Sequence, residues 1–469
     1  MVRTQKEAKD LQIAYIGGGS KGWAWGLMSD LAMEERLSGT VKLYDINFDA
    51  AYDNAMIGNS LYDRSEVSGK WKYEAVRTID EALQGADFVI LSILPGTFDE
   101  MDSDVHQPEQ YGIYQSVGDT VGPGGMVRAL RTIPMYVEIA EHIKKTSPQA
   151  WVINYTNPMS HCTRTLYEVF PDIKAVGCCH EVFGTQKLLA AMLEDLKGIR
   201  DIDRSEIKIN VLGINHFTWI DEAYYEDINL LPLYEEFVDK YYKQGFEGAE
   251  EDHWMNNHFA SAERVKFDLF KKFGLIAAAG DRHLAEFMPH SWYLQSPEKV
   301  REWKFNLTKV NWRKENRTHL LEKGKRLKDG TETFELNPTG EEGVGMLKAL
   351  LGLGDLITNV NLPNTGQMPD LPHGSVVETN ALFSYDSVRP LVAGKLPKPI
   401  NNMVAHHVEN QAITLEAGLK KDKKLGFQAF VQDPLVDLAP EQAEELFENM
   451  LINTSDYLPG WDIYNSLSV

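Results

Sequence analysis

Over the first two hundred positions the apolar residues come in short unbroken runs, each released into glycine, asparagine or charge. The run Leu11 to Ile16 in "LQIAYIGGGSKGW" predicts a buried strand that enters a glycine turn and then a helix from about Ser20 to Met33. "TVKLYDIN" predicts a second strand ending at Asp45. A helical stretch after Asn47, a short strand near Trp71 to Ala75, a helix over Ile79 to Leu83 and a strand in "DFVILSIL" follow, and "AWVINYTNP" and "IKAVGCCHE" predict two strands more. Strands alternating with helices imply a parallel sheet with right-handed crossovers, in which ligands sit beyond the carboxyl ends of the strands. Past "SEIKINVLGINHF" the period changes. "LLPLYEEFVDKYYKQ" and "NNMVAHHVENQAITLEAGLKK" read as long amphipathic helices, with no further regular βαβ unit. The expected fold is α/β: a doubly wound domain over residues 1–200, then a mixed α+β, helix-rich domain over residues 201–469 that carries substrate and metal.

Length and composition narrow the class. At 469 residues the chain exceeds the size at which one hydrophobic core stops growing, which favours two packed domains. With 47 Lys+Arg against 69 Asp+Glu, the net charge of -22 repels nucleic acid and anionic membrane surfaces, so neither is an expected partner. An anionic substrate must then be met by Arg, Lys or His side chains gathered locally. The start "MVRTQKEAKD" lacks the apolar run of a secretory signal, and no stretch approaches the roughly 18 apolar residues of a membrane span. These features place the protein in the cytoplasm, where its three cysteines, Cys162, Cys178 and Cys179, are thiols rather than a disulfide framework.

Candidate chemistry clusters at the predicted strand ends. "GGGSKG" satisfies G-x-G-x-x-G with Gly17, Gly19 and Gly22 between a strand and a helix, and Ser20 lies in the same turn. With Asp45 at the end of the second strand to accept bonds from a ribose diol, the turn reads as a Rossmann-like dinucleotide site that favours NAD over its 2′-phosphate analogue. Asn154, at a later strand end, is a further cofactor candidate. Other stretches leave two readings open. "SVGDTVGPGGMVRALRTIP", with Arg128 and Arg131, is either a loop with solvated charge or part of a site. "INYTNPM", with Asn157 before Pro158, is either a turn or part of a site. In "GCCHEV" the cysteines are either small core residues or one of them, with His216 of "GINHFTW", is half of an open metal site. "AAAGDRHLAEFMPHSW" brings Asp281, Arg282, His283, Glu286 and His290 together, either as an Asp-capped amphipathic helix or as a site.

As a set, the glycine turn with Asp45, "GPGGMVRALRTIP", "NPM", "GCCHEV", "GINHF" and "LPNTGQMPDLPHGSVVE" resembles glycoside hydrolase family 4, from about residue 12 to 380. The resemblance implies an NAD-binding domain like that of lactate and malate dehydrogenases, and a divalent metal, usually manganese, held by Cys179 and His216. Asn157 would contact the sugar. The tetrapeptide "CHEV" looks like the form in α-galacturonidases, with α-glucuronidase the alternative. Hydrolysis would run through oxidation at C3, removal of the C2 proton, elimination and addition of water, an exception to two-carboxylate glycosidases. His180 occupies the slot in which some relatives carry the general acid, and Asp281 stands near the place of the base. Arg131, Arg282 and His283 are candidates for a uronate carboxylate, and Glu181 for a further substrate contact. A homodimer or homotetramer is expected from the resemblance. The rival classes are a metal-independent sugar or hydroxyacid dehydrogenase, which would consume NAD, and a non-catalytic NAD sensor.

Overall fold

The computed structural model describes residues 1–4, 6–247, 255 and 257–465. Among these residues fourteen strands form two sheets. The strands are β1 (Val2–Arg3), β2 (Ala8–Ile16), β3 (Leu37–Tyr44), β4 (Lys70–Val76), β5 (Phe88–Leu91), β6 (Trp151–Asn154), β7 (Lys174–Gly177), β8 (Ile207–Ile214), β9 (Phe217–Tyr225), β10 (Ile228–Asn229), β11 (Ile276–Ala277), β12 (Leu356–Pro363), β13 (Val376–Ser384) and β14 (Ser387–Pro390). Six strands run parallel in the order β4-β3-β2-β5-β6-β7, the doubly wound arrangement read from the sequence. The chain reverses its winding between β2 and β5, so the turn after β2 opens at the topological switch point.

Side chains explain why these strands read as continuous apolar runs. Ile13 and Tyr15 of β2, with Phe88 and Ile90 of β5, enter one core beside Leu31, Ile57 and Leu347 of three helices. Ala14, Ile16, Val89 and Leu91 enter the opposite core, with Tyr136 and Ile143 of the helix Gly122–Thr146 and Leu166 of the helix Met159–Val169. A strand buried on both faces has no polar side to alternate with.

Three antiparallel strands from the second half of the chain extend this sheet. β12 joins β7 through Asn361 opposite Gly177, and β13 and β14 follow in order. The sheet therefore crosses the boundary expected near residue 200, which separates the parallel strands from the helix-rich part but not one sheet from another. The smaller sheet is antiparallel, with β8, β10 and β11 all paired to β9. It is tied to the large sheet where the Asn380 side chain of β13 donates to the Ile209 carbonyl of β8 at 2.6 Å. No helix among the described residues is long and apolar enough to cross a membrane.

Candidate active site

The glycine turn is shaped by close approach. Gly17 has φ +94°, and a Cβ there would lie 1.9 Å from the Ser92 carbonyl oxygen, so no other residue fits. The Gly19 N–H donates to Asp45 Oδ2 at 2.9 Å, and a Cβ on Gly19 would meet the same oxygen. Ser20 Oγ accepts from the Trp23 N–H at the start of the helix Trp23–Met33, and Gly22, just before it, faces open space. The turn thus presents a helix N-terminus and a half-buried carboxylate on one side of a bare backbone, which suits a pyrophosphate and a ribose diol.

Beyond the carboxyl ends of the same sheet lies a polar cluster. Ile214 pairs with Phe217, so Asn215 and His216 form a two-residue turn between β8 and β9. His216 adopts φ 63°, the left-handed conformation that a tight two-residue hairpin turn calls for. Its ring stacks on His283 with centroids 3.7 Å apart. Asp119, His216 and His283 each offer a ligand atom, all within 4.8 Å of one another. One carboxylate and two imidazoles suit manganese, iron(II) or zinc, and His283 Nδ1 is buried without a hydrogen-bond partner among the described residues, so the residues present fit a divalent ion.

Neighbours fix these donors. Thr120 Oγ1 donates to Asp119 Oδ1 at 2.7 Å and also lies 2.8 Å from His216 Nδ1. Its single proton is given to Asp119, so the hydroxyl oxygen accepts from Nδ1–H, and the lone pair of His216 is left on Nε2. Asn157 Nδ2 donates to Asp119 Oδ2 at 3.4 Å, and Arg128 Nε donates to the Asn157 carbonyl at 3.1 Å. Asn157 Oδ1 and Arg128 Nη1 are buried here with no partner among the described residues. Burial opposes the charge of Asp119, but His283, His216 and Arg128 hold its carboxyl well below the usual range. Glu181, 3.7 Å from His283 Nε2, is likewise opposed by burial and drawn down to about 2 by His283, His216 and His180. Burial, reinforced by His283, pushes His216 down to about 3, leaving a neutral imidazole able to bind metal.

Cys179 follows β7 and is buried beside Glu181, outside the three-donor group. Burial raises its thiol well above the ordinary value, and the carboxylates of Glu378 and Glu181 add to the effect. Glu378 of β13 accepts from Asn215 Nδ2 at 3.2 Å and from Asn359 Nδ2 at 2.7 Å, and burial raises it to about 7. His180 stands at the rim, half exposed. Its Nδ1 lies 2.8 Å from Glu341 Oε1, which raises its pKa, and its ring is 6.1 Å from that of Trp23, beside the glycine turn.

Several residues read as site candidates are engaged elsewhere. Both oxygens of Asp281 accept backbone N–H groups, from Val265 at 3.1 Å and Lys266 at 3.0 Å, so this fully buried carboxylate caps the helix Arg264–Phe273 and is not brought to the cluster. Arg131 is fully buried in a two-pronged pair with Asp104 at 2.8 and 2.5 Å and also donates to the Pro95 carbonyl, which leaves no free face for a substrate. Asn154 is saturated inside the fold by Tyr136 Oη, the Thr156 backbone and Met159 Sδ. Arg282 is engaged only in part: Nη2 donates to the Ser116 carbonyl and Thr308 Oγ1, and Nη1 makes no hydrogen bond among the described residues. Glu286 accepts from the Val117 and Gly118 N–H groups, so the helix Asp281–Glu286 holds the loop that leads to Asp119. The sequence reading passed over Asp119, Thr120 and Glu378. For all three the signal was present: Asp119 and Thr120 lie in the glycine-rich stretch beside Arg128, and Glu378 ends the motif "LPNTGQMPDLPHGSVVE".

A doubly wound sheet with a glycine turn at its switch point and a buried His–His–Asp cluster beyond its strand ends defines a nucleotide-binding type of protein with a metal-type site. The chain belongs to family 4 of the glycosyl hydrolases: the family model matches residues 12–195, and the model of the family's C-terminal domain matches residues 211–436. It is 65% identical over 460 residues to the alpha-galacturonidase of Thermoanaerobacterium saccharolyticum, covering 98% of this chain and 99% of that protein. The crystal structure of LplD from Bacillus subtilis matches with a TM-score of 0.90 and 52% identity, over 95% of this chain and 100% of that one. A Thermotoga maritima 6-phospho-beta glucosidase, solved with manganese, NAD+ and glucose-6-phosphate, shares the fold at a TM-score of 0.76 and 21% identity, over 95% of this chain and 99% of that one.

Proposed function

We propose that this chain is an α-galacturonidase that works with NAD and a divalent metal, manganese first among them. The observation that carries this reading is the Asp119–His216–His283 cluster seated beyond the same strand ends as the glycine turn, in a chain 65% identical to a protein of that name. When bound, NAD would supply hydride chemistry and the divalent ion would supply Lewis-acid polarisation of the sugar. Asp119, His216 and His283 hold the ion, with Cys179 kept as a further donor beside Glu181. Gly17, Gly19, Ser20, Gly22 and Asp45 hold the nucleotide. Asn157 Oδ1 and Arg128 Nη1, buried and unpartnered, face sugar hydroxyls. His180, whose pKa Glu341 raises, is the proton donor to the leaving group. The three cysteines, unpaired and buried, suit a reducing cytoplasm. The homodimer or homotetramer rests on the family resemblance alone.

The test is incubation with p-nitrophenyl α-galacturonide, α-glucuronide and α-galactoside, with and without NAD and manganese. Nitrophenol release should require both additions and favour the galacturonide over the galactoside by about a hundredfold or more in kcat/KM. Released sugar made in heavy water should carry deuterium at C2. Accumulation of NADH without nitrophenol would point to a dehydrogenase instead, and a retained C2 proton would remove the elimination route.

A further inference from the structure

Two guanidinium groups near the cluster form no ion pair among the described residues. Arg282 is buried, and its hydrogen bonds go to neutral oxygens: the Ser116 carbonyl at 2.9 Å, Thr308 Oγ1 and the Asn306 carbonyl at 3.4 Å. Its Nη1 makes no hydrogen bond among the described residues. Arg313, in the first turn of the helix Val310–Lys328, is half-buried and makes no hydrogen bond or ion pair among the described residues. Both cations lie against one aromatic ring, Arg282 at 5.3 Å and Arg313 at 5.8 Å from the centroid of Phe259.

The placement is tied to the cluster. The Thr308 N–H donates to the Ser116 carbonyl at 3.2 Å, so the start of the Arg313 helix is fastened to the loop that carries Asp119. The carboxylates of Glu181, Glu286 and Asp119 lie near enough to attract Arg282, but none of them forms an ion pair with it or with Arg313. Asp119 attracts both, yet it is already committed to two histidines. In a chain of net charge -22, two cations on one ring that form no ion pair among the described residues suit an anion. Guanidinium forks match the two coplanar oxygens of a carboxylate, and a lysine in either place would not.

We propose that Arg313 and the free edge of Arg282 receive the C6 carboxylate of the sugar, so that Arg313 sets the preference for a uronide over a neutral hexoside. This rests on the uronide reading above. Arg313 takes the part expected of Arg131, which Asp104 already occupies.

The experiment measures kcat/KM for galacturonide and galactoside with the full chain, NAD and manganese, and the dissociation constants of free galacturonic acid and galactose by calorimetry. It compares the wild type with Arg313→Ala and Arg313→Lys, after circular dichroism has confirmed the fold of each. Arg313→Ala should reduce the acid-over-neutral ratio, in both rate and affinity, by about ten- to a hundredfold. Arg313→Lys should recover only part of it. An unchanged ratio in Arg313→Ala, with the wild type selective, would overturn the assignment of Arg313 and leave the uronide reading standing. A wild type that does not prefer the uronide would overturn both.

Discussion

Thr120 has one proton to give, and Asp119 takes it, so the tautomer of His216 hangs on this hydroxyl. Thr120→Val keeps the shape and removes both bonds, so affinity for manganese should fall by about 10–100-fold, as for other partners of metal ligands. Titration followed by electron paramagnetic resonance of free manganese checks this, and unchanged affinity would show that the ring is oriented by its stacking on His283 alone. Residues of this scale were partly legible. His216 and Asp45 stood at strand ends, where chemistry is expected. Arg131 and Asp281 had the right chemistry in a suitable place, but sequence does not show whose hydrogen bonds are already filled. The partner of Arg131 is Asp104, and those of Asp281 are backbone groups of another helix. Asp119 is the converse case, an ordinary acid in a loop until the fold sets two histidines against it.

Among the elements, the turn after β2 is the most demanding. Gly17→Ala forces a methyl group into the Ser92 carbonyl and a side chain onto a left-handed backbone, so NAD binding should weaken by about a hundredfold or be lost. Gly22→Ala, facing open space, should be far milder. Nicotinamide nucleotide titration of the two variants checks the contrast, and equal losses would contradict the geometry. The parallel strands were legible because their two buried faces leave unbroken apolar runs. The strands β12 and β13 were not. Asn359, Asn361 and Glu378 interrupt "LITNVNLP" and "VVETNALFS" with buried polar groups beside Cys179, and this breaks the pattern that marks a strand.

At the scale of the whole molecule, the division near residue 200 describes the order of motifs better than the order of folding. β7 is an interior strand of the sheet only because β12 pairs with it. A fragment of residues 1–200 would keep the glycine turn but expose the β7 edge and the apolar surfaces that cover it. We expect that fragment to aggregate or to unfold at a much lower temperature than the full chain, as read by light scattering and calorimetry. A soluble, cooperative fragment that binds NAD would establish the first domain as independent. The overall class was legible because the widely spaced motifs belong to one family, whereas the joining of the two halves depends on a pairing that local periodicity does not encode.

The single junction between Gly177 and Asn361 also sets a clock for synthesis in the cell. The parallel strands leave the ribosome first, and the partner of β7 follows roughly 180 residues later, about 10–40 s at ~5–20 residues per second. For that interval each nascent chain carries an open, apolar sheet edge on a crowded polysome beside copies in the same state. Slowing translation between the two strands should therefore increase the demand for chaperones, whereas the finished protein, with the edge closed, is indifferent to how long it waited.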